Sequence, residues 1–113
     1  MAPAFPALPP NPAAAQWSPN IYQAFSIISR TYAAAADVVL IDADVSRLKF
    51  HAHGLTENVI PLLVALEAHA AEEHLPLPWV LECAHAVALL VKELCAAQTN
   101  AAQRYVQFST LHQ

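Results

Sequence analysis

Glycine is almost absent: Gly54 stands alone in 113 residues that include 24 alanines. Phosphate-cradling loops, tight hairpins and strained nucleophile turns draw on residues that tolerate positive φ, usually glycine, so those classes of function are excluded first. Charged residues are scarce as well, at 12% against 57% apolar ones, well below the charge of an ordinary domain. No Asp, Glu, Lys or Arg occurs in the first 29 residues, so the basic n-region of a secretory signal is missing. Long apolar runs are missing too. Val38 to Ile41 lies between Asp37 and Asp42, and Cys83 to Val91 is bounded by Glu82 and Lys92, far short of the roughly 18–20 residues of a membrane-spanning helix. The expectation is a cytoplasmic or nuclear protein with no membrane partner.

Basic residues number five, Arg30, Arg47, Lys49, Lys92 and Arg104, in a chain of net charge −4. They are scattered, and the densest patch, Arg47 to His53, follows Asp42 and Asp44. A nucleic-acid site needs a basic stripe to displace counterions from phosphates, so none is expected. The only cysteines, Cys83 and Cys95, fall on one predicted helix about 18 Å apart, beyond the roughly 7 Å reach of a disulfide. They read as unpaired thiols in a reducing compartment.

What is present is alanine, proline and helical periodicity. Five of the nine prolines, Pro3, Pro6, Pro9, Pro10 and Pro12, lie in residues 1–18, which read as a disordered leader with polyproline II tendency. Phe5, Leu8 and Trp17 are its docking residues, and Pro9-Pro10-Asn11-Pro12 faintly resembles a proline-recognition ligand. Ser18-Pro19 is a helix start, with a capping serine and a proline tolerated in the first turn. From there Ile21, Phe25, Ile28, Tyr32, Ala35 and Val39 recur at helical spacing, and Val38, Ile41, Val45 and Leu48 continue on a rotated stripe. Asp37-Val-Val-Leu-Ile-Asp42 rivals this as a buried strand, but the repeats of a parallel sheet are absent. The first helix is predicted to end at Gly54, the only natural glycine cap.

A second, shorter helix is predicted from Thr56 or Asn58 to about His74, with Pro61 in its first turn or slightly beyond. Leu75-Pro76-Leu77-Pro78 breaks it, since each proline disfavours helical geometry in the residue before it. A third helix then carries a heptad-like seam, Val80, Cys83, Val87, Leu90, Leu94, Ala97, Ala101, Arg104, Phe108, Leu111. The fold class is thus all-α, two long helices and a shorter one in an antiparallel bundle over residues 19–113. Predicted lengths of about 50, 25 and 50 Å do not match. The end of the third helix, from Ala101 to Leu111, overruns unless it folds back at Gln98-Thr99-Asn100.

That overrun points to a non-catalytic interaction or oligomerisation module, whose partner is a second copy or another helical protein. Its contact residues are Val87, Leu90, Leu94, Ala101, Tyr105, Phe108 and Leu111. Burying four large side chains of the overrun contributes on the order of 6–12 kcal/mol before entropy, at about 1.5–3 kcal/mol each. The initial methionine and the lack of a helix stop at Gln113 fit the amino-terminal part of a larger polypeptide.

The alternative is a small metal-binding bundle. Glu82-Cys83-Ala84-His85 has the Glu-x-x-His spacing of di-iron helices, and His69 and Glu73 would complete a set, although a full site needs a second such pair. His69-Ala-Ala-Glu72-Glu73-His74 misses the His-x-x-Glu-His metalloprotease spacing by one residue. His51 and His53 read as charge complements at a helix end. Cys83 and His85, two apart, cannot act as a nucleophile and base pair on a helix. An apolar ligand enclosed among Trp79, Phe25 and Tyr32 is a third reading. No catalytic residue and no cofactor is expected.

Overall fold

Three helical rods are started and stopped by local chemistry. The computed structural model describes residues 5–10 and 17–111, with side chains as far as residue 107. Helix α1 spans Pro19–Leu40. Ser18 caps it, its hydroxyl accepting from the Ile21 amide at 3.4 Å, and Pro19 fills the first turn where no donor is needed. Trp17 and Tyr22 meet across this start with tilted rings and centroids 5.6 Å apart, a hydrophobic staple that fixes the angle at which the chain enters.

Helix α1 stops well before Gly54. Asp42 takes a left-handed φ of 55°, and the Ala43 amide bonds the Val38 carbonyl at 3.1 Å while Asp42 bonds Val39 at 3.2 Å. This is a Schellman cap with aspartate where glycine is usual, and the accompanying apolar contact joins two buried side chains, Val38 and Ala43. Asp44 then caps the next helix, accepting from the Arg47 amide at 2.8 Å. The second corner repeats the device. His74 has a φ of 54°, Leu75 bonds the Ala70 carbonyl at 2.8 Å, and Leu75 and Ala70 are both buried. A chain with one glycine makes both corners without it, using Asp and His, which tolerate this region better than most residues.

After the first corner the chain is helical without a break from Val45 to Ala68: α2 (Val45–Gly54), a π-helical turn (Leu55–Val59) and α3 (Ile60–Ala68), so the helix end predicted near His74 is corrected to Ala68, with turns over residues 69–74. The expected helix end at Gly54 is therefore corrected to the middle of a rod. Gly54 has ordinary helical angles, φ −58° and ψ −44°, so it supplies no cap. The π turn has its cause in Pro61, which lacks an amide for the Glu57 carbonyl and whose ring would strike that carbonyl in α register. Widening the turn, so that the Ile60 amide reaches Leu55, takes up the misfit. An alanine at Gly54 would meet only the Thr31 methyl, at 4.0 Å. Gly54→Ala is expected to stabilise the fold by about 0.5–1 kcal/mol, read as a raised urea midpoint; a loss of that size would restore the glycine cap.

Helix α4, Leu77–Leu111, is 35 residues long and runs through Gln98-Thr99-Asn100 without folding back. Its first turn packs Trp79 on Phe25 of α1, with centroids 4.3 Å apart, while its far part reaches the α1–α2 corner. Helices α1 and α4 therefore run in the same direction, with the α2–α3 rod returning between them in a three-helix bundle of 61 × 27 × 18 Å. The core joins Ile28, Leu48, Leu55, Val59, Val80, Val87, Leu90 and Leu94, all fully buried.

Residues 5–10 of the expected leader lie against this bundle, at the positions the sequence marks as docking residues, Phe5 and Leu8. Phe5 is buried and meets Tyr32 edge-on at 6.5 Å. The Tyr32 hydroxyl donates to the Pro6 carbonyl, and the Trp79 indole donates to the Pro10 carbonyl at 2.9 Å. Residues 1–4 and 11–16, including Pro3 and Pro12, lie outside the described residues.

Candidate interaction surface

The predicted contact seam divides into two parts along α4. Val87, Leu90 and Leu94 are 0% exposed and Ala101 is buried, all within the bundle's own core. They sit there because α4 lies across both other rods, and its heptad-like stripe is consumed by them. Beyond Ala101 the helix meets the α1–α2 corner. Arg104 grips Asp42 with two hydrogen bonds, Nη1 to Oδ2 at 2.8 Å and Nη2 to Oδ1 at 2.9 Å.

This fork-to-fork geometry aligns the corner on α4. The hydrogen bonds from Arg104, and then its charge, hold the Asp42 carboxyl below its ordinary value of 3.8. A depressed carboxyl keeps its partner above that ordinary value, so the clasp is intact at neutral pH and is lost only as pH falls through the lowered value. Both groups are exposed, where ion pairs are screened, so the clasp sets register more than stability.

Past the clasp, α4 projects by about seven residues, roughly 10 Å. Tyr105 and Val106 are 72% and 62% exposed there, and at the same end of the bundle Leu40 and Ile41 are 62% and 58% exposed. A groove of about 690 Å³ lies between this tip and the start of α2, its floor formed by Ala43, Val45 and Ala101 and its rim by Asp42, Asp44, Arg104 and Tyr105. The side chains of Phe108 and Leu111, the last two residues of the predicted seam, lie outside the described residues. Sequence reasoning missed the Leu40–Ile41 half of this end because it placed Ile41 on a continuing buried stripe. The signal was Asp42-Ala43-Asp44, a left-handed cap followed at once by an N-cap.

The chemical alternatives fare differently. Among the described residues no group of three or more His, Cys, Asp and Glu side chains is placed to hold a metal ion, so Glu82, His85, His69 and Glu73 do not form the ligand set of the alternative reading. His69 instead lies 3.2 Å from Glu72 of its own turn, and Glu82 and His85 line a groove beside Pro6 and Pro9. His51 and His53 do not cap a helix end, since the rod continues past them. Phe25 and Trp79 pack ring on ring and Tyr32 packs on Phe5, so side chains fill the space proposed for an apolar ligand. Burial, and secondarily the charge of Glu82, push the Cys83 thiol up to about 11. It therefore stays protonated and inert at neutral pH, while Cys95 is exposed.

No helix among the described residues is long and apolar enough to cross a membrane. No family model, no curated protein and no solved structure matches the chain. The site accordingly rests on its geometry: an all-helical bundle with an apolar end, without a metal-binding group of side chains among the described residues.

Proposed function

We propose that the chain is a non-catalytic helical interaction module that self-associates through the projecting end of α4. The observation that carries this reading is the exposure of Tyr105 and Val106 past the Asp42–Arg104 clasp, and of Leu40 and Ile41 just before it, four large apolar side chains at one end of the bundle. A two-fold arrangement is self-complementary: the tip of one copy lies on the α1–α2 corner of the other, and the reverse holds equally. Four such side chains offer about 6–12 kcal/mol of burial, against association costs of about 4–15 kcal/mol. A reversible, concentration-dependent dimer follows, rather than a permanent one.

Light scattering across a dilution series tests this on the wild type and on Tyr105→Asp combined with Val106→Asp. The wild type is expected to grow toward twice the monomer mass with concentration, and the double variant to stay monomeric. Since both positions are exposed, the variant's unfolding free energy is expected to move by less than about 1 kcal/mol. A wild type that is monomeric throughout, or a variant that still associates, contradicts the proposal.

A further inference from the structure

Residues 5–10 lie on the bundle as a ligand lies on a receptor. Half of them are proline, and proline brings a fixed φ, no amide donor and a well-exposed carbonyl. Segments of this kind are recognised by aromatic side chains that pack on the chain and donate to its carbonyls. The groove between α1 and α4 provides both. Tyr32 from α1 donates to the Pro6 carbonyl and Trp79 from α4 donates to the Pro10 carbonyl at 2.9 Å. Burial raises the Tyr32 pKa, which keeps this hydroxyl a donor at neutral pH. Phe5 rests edge-on against Tyr32, and Leu8 and Pro9 are half-buried. Pro6-Ala7-Leu8-Pro9 has P-x-x-P spacing.

Two features mark a receptor rather than a core. Trp79 is held in place independently of the segment, by Phe25 at 4.3 Å and Trp17 at 5.6 Å. The segment also underfills its groove, leaving concavities of about 480 Å³ toward Pro78, Leu81 and Ala86 and about 530 Å³ toward Ser29, Ala33 and Ala36. We infer that the α1/α4 groove is a polyproline-recognition site, occupied in cis by Phe5 to Pro10, that accepts a proline-rich segment of another polypeptide in the same register. Tethering gives the internal ligand an effective concentration on the order of millimolar, so binding in trans is masked until the internal anchors are weakened.

The test uses the full chain carrying Phe5→Ala and Leu8→Ala, which removes the anchors and leaves the groove. Calorimetric titration with a synthetic peptide of residues 4–11 is expected to saturate at one site, at least about tenfold tighter than in the wild type. Adding Trp79→Phe or Tyr32→Phe, which keep the ring and remove the donor, is expected to weaken binding by about 2- to 12-fold, the worth of one hydrogen bond. A peptide with its prolines replaced by alanine is expected not to bind. As a check that needs no variant, millimolar unlabelled peptide is expected to move the Phe5 and Leu8 resonances of the labelled wild type toward those of a free chain, as the internal segment is displaced. Lack of saturation with no release of Phe5 and Leu8, equal binding of the proline-free peptide, or indifference to both donor losses overturns the inference. So does a dimer that the peptide dissolves, which would make a second copy's leader the occupant; the α4-tip dimer is recognised by its loss in Tyr105→Asp with Val106→Asp instead.

Discussion

Trp79→Ala is expected to lower the unfolding free energy by about 3–5 kcal/mol, the range for truncating a buried aromatic. The side chain is buried and is the piece that binds the beginning of α4 to the beginning of α1, with Phe25 at 4.3 Å and Trp17 at 5.6 Å. Truncation therefore opens a cavity and also releases the pile of rings that sets the entry of α1. Native domains are stable by only about 5–15 kcal/mol, so the loss is a large share of the total. Urea unfolding followed by far-ultraviolet dichroism reads it as a lowered midpoint at an unchanged slope. A loss under about 1 kcal/mol would mean that α1 and α4 are not joined at this end.

Leu90→Ala is expected to remove about 2–5 kcal/mol. Leu90 is fully buried in the stretch of α4 between Val87 and Leu94, surrounded by the chain's own helices, and alanine leaves a void that packed neighbours only partly close. This loss is expected to be independent of protein concentration. Were Leu90 at a contact between chains, its truncation would instead weaken association, and the apparent loss would vary with dilution. Equilibrium unfolding at two concentrations a hundredfold apart distinguishes the two.

The all-helical architecture, the Ser18-Pro19 start, the corner around Leu75 to Pro78 and the buried face of α4 were legible because each rests on a local rule: capping, proline geometry and three-four periodicity. The first corner was not legible. Gly54 is the residue a helix end would favour, but no rule obliges a glycine to be used, and a helix interior tolerates one for about 1 kcal/mol. Asp42 makes the turn because Asp44 caps the next helix two residues later and because Arg104, 62 residues away in sequence, grips it. That last contact is tertiary and leaves no local pattern.

The same displacement of the corner changes the candidate site. With α1 ending at Leu40 rather than Gly54, the α2–α3 rod grows to about 36 Å and covers more of α4. The seam from Val87 to Ala101 is then internal, and the surface proposed for association shrinks to the tip that carries Tyr105 and Val106. The ordering of Phe5 to Pro10 was legible only as a composition. Its two anchoring donors, Tyr32 and Trp79, lie 47 residues apart in sequence on different helices, and nothing local brings them together.

Amide hydrogen exchange along α4, recorded at two protein concentrations, tests the central claim most directly: the chain shelters this helix as far as the Asp42–Arg104 clasp and leaves the tip for a second copy. Amides from Val87 to Ala101 are expected to be protected equally at both concentrations, while those of residues 105–107 exchange quickly when dilute and slow when concentrated. Strong protection of residues 105–107 at the lower concentration, unchanged at the higher one, would contradict it.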